Sequence, residues 1–503
     1  MVSLPKAAQS PQLRQTLGSM NSDILNILKR ADTRTWKTLS LPFGEETLTI
    51  QVPPDCASLR MRAWDTPIPS AEEIRRALHH PIGSPSLDDI IRSKPQPVDQ
   101  TTVCITVSDI TRPVPYRGEG GLLPPLLKIV EDTGVLRSNI VILVGNGMHR
   151  ASTGQEKIRM YGEAVVDRYR IEDHDCEDLS RLVRTLKTAS GTEVFLNASF
   201  YHADVKIVTG LVESHFMAGV SGGRKGVCPA LVNTRTIEQF HGPEFLEHPK
   251  ATNLVLEGNP CHEESLEVAQ SVGVDFLVNA TLDSRLRLTG VFAGDLVEAH
   301  EAAVGAMKPF VQIPLPEPFD IVLTHGGYVG RNHYQCVKAA VGAMAAVRED
   351  GMILLLADNS DAEPIGSQEY KTLLHLFKML GPDGYVSMLR HPDWVFTKDQ
   401  WEPEMWGRPF RKVGFEGMIY CSPQIPEEAY QIIPGLSGYD VIEKDMRFDS
   451  PEEKVTAMLQ NAVCYATVHP RFAGRQPSIA FVEDGPYAIP VLSESTSAVG
   501  MEE

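Results

Sequence analysis

The sequence predicts an α/β protein of two domains, each with a mostly parallel sheet flanked by helices. Short apolar runs rich in β-branched residues repeatedly end in polar or glycine-rich loops and are followed by helical stretches. Such runs suit strands buried on both faces, and their alternation with helices favours parallel sheets. The length of 503 residues exceeds the size at which one hydrophobic core keeps growing.

The individual elements can be followed along the chain. Residues 1–36 form a polar arm in which SDILNILKRA predicts one helix. The alternating apolar residues of LSLPFGEETLTIQVP predict a hairpin at 39–53, and AEEIRRALHH predicts a helix at 71–80. Strands that run into polar loops are then predicted in five segments: 101–113, 139–150, 203–215, 319–335 and 351–361.

A proline-rich segment marks the expected boundary between the domains. VQIPLPEPFD, at 311–320, contains three prolines in ten residues and precedes a fresh strand. We therefore assign a first domain to residues 37–312 and a second to residues 313–477. The C-terminal segment, about 478–503, is assigned as a candidate to return to the first domain.

Composition excludes several classes of protein. The formal charge is -18, and no cluster of Lys and Arg is present to neutralise phosphates, so nucleic acid and anionic membranes are not expected as partners. No run of eighteen apolar residues occurs, and the N-terminus lacks the apolar core of a secretory signal. The eight cysteines never form CxxC, which predicts reduced thiols, no zinc ribbon and a cytoplasmic protein.

Polar residues follow three of the predicted strands. Asp109 and Arg112 follow the first, His149 follows the second within GNGMHR, and His215 follows the third. The carboxyl ends of parallel strands meet at one edge of a sheet, where ligands bind. The two histidines suit acid/base work near neutral pH, and Arg112 suits a carboxylate or phosphate. Each also has a structural alternative, namely an Asp–Arg pair at a turn or a hydrogen-bonded histidine.

Two further segments carry candidate residues. Lys225 lies in GVSGGRKG and is a candidate phosphate-binding lysine or amine nucleophile, although the segment is not a Walker A loop and can also be a basic surface loop. In the second half, GGYVGRNHYQCVKAA places Tyr334, Gln335 and Lys338 on the first turns of a helix, with Gln335 and Lys338 on one face. No metal-binding motif such as HExxH is present. These residues together predict an anion-binding acid/base site without naming its reaction.

The sequence resembles the lactate racemase family of nickel-pincer-nucleotide enzymes. The resemblance is carried, in chain order, by SDITRP (108–113), GNGMHR (145–150), ESHFMAGVSGGRKGVCPA (213–230), the histidine of EQFHGP and YQCVK (334–338). It covers the chain from about residue 39 to residue 361 and leaves out the arm at 1–36. It implies a two-domain α/β enzyme whose active site lies in the cleft between the domains.

The resemblance also implies a cofactor, the pyridinium-3-thioamide-5-thiocarboxylic acid mononucleotide with bound nickel. By motif position, Lys225 is the lysine that carries it and His241 is the histidine that completes the nickel coordination. Asp109, Thr111, Gly222 and Gly223 are implied to contact the nucleotide. Because the cofactor supplies most of the nickel ligands, no metal motif is expected in the chain itself.

The remaining implied roles concern the substrate. His149 and His215 are implied as acid/base residues on opposite sides of a 2-hydroxy acid, with hydride passing to and from the cofactor. Arg112 and Lys338 are implied to hold the carboxylate of the substrate, Gln335 to help position it, and Tyr334 to bind the substrate. The expected activity is therefore that of an isomerase, a racemase or epimerase of a 2-hydroxy acid.

Other expectations concern the substrate and the partners. Arg331 and His333 predict a substrate that is larger or more polar than lactate. The enzymes that build the cofactor are expected as transient partners, and the oligomeric state is left open. Two alternative functions are also left open: a non-catalytic protein that binds nucleotides or sugar acids, and a hydro-lyase that uses the histidines alone.

Overall fold

The computed structural model describes residues 23–64 and 70–493 of the chain. The chain divides into two compact units. Residues 61–312 form the first, which we call the inserted unit. The segments on either side of it, up to residue 60 and from residue 313 onward, form the second, which we call the split unit.

The strands within the described ranges are short and are distributed over both units. In chain order they are β1 Lys37–Phe43, β2 Glu46–Val52, β3 Ala57–Leu59, β4 Val103–Val107, β5 Ile140–Val144, β6 Arg170–Asp173, β7 Leu182–Lys187, β8 Glu193–Asn197, β9 Val205–Leu211, β10 Ser214–His215, β11 Gly219–Val220, β12 Phe276–Leu282, β13 Leu288–Gly294, β14 Gln312–Leu315, β15 Phe319–His325, β16 Val347–Leu356, β17 Met418–Cys421, β18 Leu436–Ser437, β19 Ile479–Val482 and β20 Ile489–Leu492.

Helices connect most of these strands, as the sequence pattern predicts. In chain order they are α1 at residues 23–28, α2 Ser70–His79, α3 Leu87–Arg92, α4 Leu123–Thr133, α5 Gly154–Tyr161, α6 Glu163–Val166, α7 Ala198–Tyr201, α8 Thr234–Phe240, α9 Pro243–Leu246, α10 Pro260–Ser271, α11 Glu298–Val311, α12 His333–Ala343, α13 Gln368–Leu389, α14 Trp401–Val413 and α15 Pro451–Thr467.

The inserted unit contains a six-stranded sheet in the order β13-β12-β9-β4-β5-β6. All its neighbouring strands are parallel except β12 and β13. From β4 the chain moves outward through β5 and β6 and then returns to place β9 on the other side of β4. The strand order therefore reverses at β4, and in such sheets the carboxyl ends of the strands at the reversal form a ligand-binding crevice.

Both faces of this sheet are covered, which explains the continuous apolar runs in the sequence. Alternate residues along the central strands point to opposite faces. Ile105, Ile142 and Ile207 belong to one apolar cluster, together with side chains from α2, α3 and α4. The opposite cluster contains Cys104, Leu143 and Val208, together with side chains from α7, α8, α10 and α11.

The split unit contains a second six-stranded sheet, in the order β18-β17-β16-β15-β19-β3, and its strands are all parallel. Apolar residues of β1, β2 and α15 pack on one face of it. Helix α12 follows β15 and packs against α14. The predicted α/β fold class with mostly parallel sheets is confirmed in both units, and so is the hairpin formed by β1 and β2.

The predicted domain assignments are corrected at two places. Residues 37–60 were assigned to the first domain, but β1 and β2 pack on the core of the split unit and β3 pairs with β19. The segment from 478 was expected to return to the first domain, yet β19 lies beside β15. Asp320 secures this position, because it accepts hydrogen bonds from Arg475 at 2.5 and 2.7 Å and from the backbone N–H of Ser478 at 2.8 Å. Residues 1–22 of the arm and 494–503 of the C-terminal segment lie outside the described residues.

Two sequence expectations about the chain as a whole can be compared with the structure. All eight cysteines lie within the described ranges and are buried thiols, with no disulfide among them. In residues 23–64 and 70–493, no helix combines the length and the apolar character needed to cross a bilayer.

Candidate active site

The crevice of the inserted unit collects the polar residues that the sequence places after three strands. Asp109 and Arg112 follow β4, His149 follows β5, and His215 ends the segment that leaves β9. Because β9, β4 and β5 are direct neighbours in the sheet, their loops leave from adjacent positions at its carboxyl edge. The sheet order thus brings together residues that are separated by about a hundred positions in the sequence.

Asp109 and His149 form a hydrogen-bonded pair. The Nδ1 atom of His149 lies 2.6 Å from Oδ2 of Asp109, and Oδ1 of Asp109 accepts the hydroxyl of Thr111 at 2.5 Å. Burial would raise the pKa of Asp109, but the hydrogen bonds from His149 and Thr111 outweigh it and hold that pKa below its ordinary value. The ionised carboxylate fixes the Nδ1–H tautomer, so the Nε2 lone pair of the half-exposed His149 can accept a proton.

Arg112 forms an ion pair with Glu213, which lies just beyond β9. Both side chains are about three-quarters buried, with 24% and 22% of their side-chain surfaces exposed. A guanidinium has five N–H donors, so an ion pair with one carboxylate leaves donors for a second anion. Glu213 was not identified as a candidate from the sequence. Its pairing with Arg112 becomes evident only because the strands that precede the two residues are neighbours in the sheet.

His215 is buried and its ring is held by the adjacent backbone. Its Nδ1 atom accepts hydrogen bonds from the N–H groups of Met217 and Ala218, both at 3.2 Å. These bonds place the proton of the neutral ring on Nε2. His149 and His215 are therefore held in opposite tautomers. No pattern in the sequence predicts this difference.

The glycine-rich segment after β11 forms a tight turn, Gly222 to Gly226, whose last four residues are a short 3-10 helix. Gly222 and Gly223 have positive φ angles of 73° and 53°. A Cβ atom at Gly223 would lie 2.7 Å from the ring of His300, and one at Gly222 would lie 2.8 Å from Oδ1 of Asn279. Close packing against the protein's own side chains thus requires glycine at both positions.

Arg224 lies beneath this turn and is almost completely buried. Its guanidinium donates to the carbonyl oxygens of Ala218 at 2.8 Å and Val220 at 2.9 Å, and lies 3.2 Å from Nε2 of His300. Burial lowers the pKa of Arg224 to about 9. Arg224 therefore ties the hairpin of β10 and β11 to the turn that carries Lys225.

Lys225 extends from this turn into a partly buried, cationic environment. Its Nζ atom lies 4.7 Å from the centre of the Phe240 ring. Burial, together with the positive charges of Arg112 and Arg224, lowers the pKa of Lys225 to about 7. A substantial fraction of Lys225 is therefore a neutral amine at neutral pH, the form in which lysine acts as a nucleophile.

His241 follows Phe240 at the end of α8. Its Nδ1–H donates to the carbonyl oxygen of Ile237 at 3.0 Å, which places the lone pair of the neutral ring on Nε2. Burial lowers the pKa of His241 to about 3, and the charges of Lys225 and His149 act in the same direction. A neutral imidazole with its Nδ1–H donated to a carbonyl is the form in which histidine binds metals.

Three further candidate residues lie on α12 of the split unit. Asn332 caps this helix by accepting the backbone N–H of Gln335 at 3.0 Å, so Tyr334, Gln335 and Lys338 occupy its first turns as predicted. The hydroxyl of Tyr334 accepts a hydrogen bond from Nε1 of Trp401 at 2.9 Å. Glu402, next to Trp401 on α14, is buried and acts electrostatically on Tyr334, although the sequence gave no reason to select it.

Structural roles are seen for His333, which was noted in the sequence, and for Trp394 and Cys228. His333 was expected to favour a larger or more polar substrate, but it is buried and stacks on Trp406 at 4.7 Å, and burial lowers its pKa to about 3. This neutral core residue gives no support for that substrate. Trp394 donates to Gln400 at 2.9 Å, and Cys228 is buried with its pKa raised to about 12 by burial.

The described residues include no group of three or more His, Cys, Asp or Glu side chains arranged to hold a metal ion. In His241 the hydrogen bond to Ile237 places the lone pair of the neutral ring on Nε2, the atom with which such a histidine binds a metal.

Comparisons with known proteins agree with this fold and arrangement. Residues 43–253 match the family model of the lactate racemase N-terminal domain. The chain is 32% identical over 328 residues to a lactate racemase from Lactiplantibacillus plantarum, which covers 64% of this chain and 75% of that protein. It is 31% identical over 329 residues to a lactate racemase from Thermoanaerobacterium thermosaccharolyticum, with the same coverage.

Solved structures show the same architecture. The lactate racemase apoprotein from T. thermosaccharolyticum superposes with a TM-score of 0.76 at 24% identity, over 91% of this chain and 100% of that one. A protein from Thermotoga maritima superposes with a TM-score of 0.56 at 14% identity, over 82% of this chain and 100% of that one. The fold and the relatives together define an isomerase with an α/β fold, namely a racemase. More specifically, the chain belongs to the lactate racemase family.

Proposed function

We propose that this protein inverts the α-carbon of a short 2-hydroxy acid such as lactate, by hydride transfer to and from a nickel-pincer nucleotide attached to Lys225. The observation that carries the proposal is the pairing of an amine of lowered pKa, Lys225, with a neutral imidazole, His241, beside the Asp109–His149 pair. The lactate racemases to which the chain is similar support the reaction class.

The environment of Lys225 fits covalent attachment of the nucleotide. Formation of a thioamide requires the neutral amine, and the lowered pKa of Lys225 provides it at neutral pH. Phe240 lies against the amine and offers an apolar surface beside it. Arg112 and Arg224 add positive potential that would favour an anionic nucleotide.

His241 fits the role of the protein ligand to nickel. Its Nδ1–H is donated to Ile237, and its pKa of about 3 keeps the ring neutral across the physiological range. Sulfur and imidazole ligands suit Ni(II), so one histidine is a sufficient contribution from the protein if the nucleotide provides the others. When bound, the nucleotide would supply the acceptor for the α-hydride and return it to the substrate carbon.

His149 and His215 are proposed as the acid/base residues. In one direction Nε2 of His149 takes the hydroxyl proton, and the loss of this proton and the α-hydride converts the hydroxy acid to a 2-keto acid. Asp109 then stabilises the charged imidazolium of His149. The Nε2–H of His215 can donate a hydrogen bond to the oxygen of the keto acid. The inversion is complete when the hydride returns to the opposite face of the carbon and His149 returns its proton to the oxygen.

The carboxylate of the substrate requires cationic and hydrogen-bonding partners. Arg112 is proposed for this role because it is held in place by Glu213 and has donors left for a second anion. Lys338, Gln335 and Tyr334 are proposed as further carboxylate-binding residues, on the basis of their shared position on α12. Asp109, Thr111, Gly222 and Gly223 are proposed to line the nucleotide site.

The cofactor proposal is tested by the mass of the peptide that carries Lys225. The protein is produced together with enzymes that build the nucleotide, and nickel is measured in the same sample. We expect an adduct on Lys225 with bound nickel in the parent and neither in Lys225→Arg, which keeps the charge but has no primary amine. An unmodified Lys225 in nickel-free parent protein would overturn the proposed cofactor.

The proposed reaction is tested separately with pure enantiomers of lactate. We expect each enantiomer to yield the other, and lactate labelled with deuterium at the α-carbon to keep its label because the hydride returns to the same carbon. Exchange of the label with solvent would instead indicate proton chemistry by the histidines alone. Binding of lactate without any loss of optical purity would support a non-catalytic binding protein.

A further inference from the structure

A buried carboxyl group, that of Glu402, lies where α14 meets α12 in the split unit. Glu402 is in the first turn of α14 and only 3% of its surface is exposed. Helix α14 packs directly against α12, which carries Tyr334 and Lys338. These two residues are four positions apart and so share one face of α12.

A hydrogen bond connects the first turn of α14 to α12. Nε1 of Trp401 donates to the hydroxyl of Tyr334 at 2.9 Å. Glu402 follows Trp401 directly, and both Tyr334 and Lys338 lie close enough to its carboxyl group to affect its pKa. Glu402 therefore lies beside two residues that are proposed to bind the substrate.

The surroundings of Glu402 disfavour its ionised form. Within the part of the chain that the structure describes, Oε2 of Glu402 is buried without a hydrogen-bond partner. A buried carboxylate with such an oxygen would bear a large desolvation cost, whereas a neutral acid bears much less.

The neighbouring charges do not reverse this preference. Burial raises the pKa of Glu402 well above its ordinary value, and the nearby Asp399 raises it further. Lys338 and Tyr334 act in the opposite direction but do not outweigh burial. Tyr370 of α13 also faces this group, and burial and the field of Glu402 raise the pKa of that phenol, so it adds no charge at neutral pH.

We propose that Glu402 is a positioning residue for the carboxylate-binding side chains Tyr334 and Lys338, and that it does this work as a neutral carboxylic acid. This inference rests on the proposed function of Lys338. A neutral Glu402 fills the buried space beside Tyr334 without adding a negative charge beside Lys338. An ionised Glu402 would repel the carboxylate of the incoming substrate.

The test compares two substitutions in the cofactor-loaded enzyme. Glu402→Gln keeps the shape and a polar side chain without a charge, and Glu402→Leu removes the polar group. We expect KM for lactate at pH 7 to stay within about threefold of the parent in Glu402→Gln and to rise about tenfold or more in Glu402→Leu, with kcat changed by less than about threefold in both. A higher KM with a nearly unchanged kcat would mean that substrate binding is weakened while the reacting groups are unchanged.

A binding measurement makes the test independent of turnover. Lactate and its neutral analogue lactamide are titrated against each variant by calorimetry at pH 7. We expect Glu402→Leu to weaken the binding of lactate by about tenfold and the binding of lactamide much less, because the lost interaction concerns the carboxylate. Trp401→Phe, which removes the indole N–H that donates to Tyr334, should give a smaller shift in the same direction and serves if the leucine variant does not fold.

Three outcomes would overturn the inference. If Glu402→Gln binds lactate about tenfold more tightly than the parent, Glu402 is ionised in the parent protein. If the leucine variant has parental KM and parental selectivity for lactate over lactamide, Glu402 has no positioning role. If Lys338→Ala leaves lactate binding unchanged, the proposed role of Lys338 fails as well, and this result distinguishes the failure of the site from the failure of Glu402 alone.

Discussion

At the scale of single residues, the candidate site depends on pairs in which one side chain sets the chemical state of another. Asp109 fixes the tautomer of His149, and the backbone around Met217 fixes the opposite tautomer of His215. Arg112 and Arg224 surround Lys225 with positive charge, so its pKa is lower than burial alone would make it. These pairs set the tautomer or the protonation state of the side chains that we propose as base, hydrogen-bond donor and amine nucleophile.

The Asp109–His149 pair gives the first prediction. Asp109→Asn removes the charge that holds His149 as the Nδ1–H tautomer, so we expect kcat for racemisation to fall about 100-fold or more. Thr111→Ala removes one hydrogen bond to Asp109 but leaves its charge, and we expect a loss of less than about tenfold. Steady-state kinetics of the loaded enzymes measures both. Equal losses in the two variants would show that orientation of His149 is not the role of Asp109.

Lys225 gives a prediction about pH. Because its pKa is lowered to about 7, the amine is protonated and unreactive below pH 7 and becomes nucleophilic as the pH rises through that value. We expect acetylation of Lys225 in the cofactor-free protein, followed by mass spectrometry, to reach half its maximal rate near pH 7. In urea the same lysine should require a pH near 10.4, the ordinary value for lysine. A midpoint near 10 in the folded protein would contradict the cationic environment of Lys225.

At the scale of elements, the turn from Gly222 to Gly226 connects the hairpin that holds His215 to the lysine that we propose carries the cofactor. The guanidinium of Arg224 holds this turn in place by donating hydrogen bonds to the carbonyl oxygens of Ala218 and Val220. Gly223 lets the turn approach His300 more closely than any other residue could. The position of Lys225 thus depends on backbone packing beneath the turn.

Matched glycine substitutions test this packing. Gly223 and Gly118 both have positive φ, 53° and 78°, but only at Gly223 would a Cβ meet another atom, the ring of His300 at 2.7 Å. We expect Gly118→Ala to lower the free energy of unfolding by about 1 kcal/mol from backbone strain alone. Gly223→Ala should lower it by about 3 kcal/mol because of the added clash. Urea denaturation measures both, and equal values would show that the turn can move away from His300.

At the scale of the whole molecule, the inserted unit interrupts the split unit after β3 and before β14. The two ends of the inserted unit lie side by side, since the N–H of Arg62 donates to the carbonyl oxygen of Phe310 at 3.0 Å and the ring of Trp64 packs on that of Phe310. The split unit depends on its N-terminal segment, because β3 pairs with β19 and the hairpin of β1 and β2 completes its core.

This arrangement predicts how the chain can be divided. Residues 61–312 expressed alone should unfold cooperatively in urea, and so should a chain in which residue 60 is joined to residue 313 by a short Gly-Ser linker. A fragment that starts at residue 313 lacks β1, β2 and β3 and should not fold cooperatively. Circular dichroism during urea titration compares the three. Cooperative unfolding of the shortest fragment would show that β1, β2 and β3 are dispensable.

Much of the fold was predictable because its signals are local. The apolar runs of β4, β5, β9 and β15 and the turn residues that end them identify strands that are buried on both faces. The position of the C-terminal strand was predicted wrongly, because its neighbours are chosen by contacts such as that of Arg475 with Asp320, 155 positions away. His333 was misjudged for the same reason, since its burial against Trp406 depends on how α12 packs on α14.

The sequence by itself determined the fold class and the chemical types gathered at the ends of the strands, because hydrophobic periodicity and turn chemistry act over a few residues. The tertiary structure decided which of these residues pair and in which protonation state they lie. Asp109 could become the partner of His149, and Glu402 could join Tyr334 and Lys338, only through contacts distant in sequence. Burial and the fields of neighbouring charges set a pKa, and both exist only after the chain has folded.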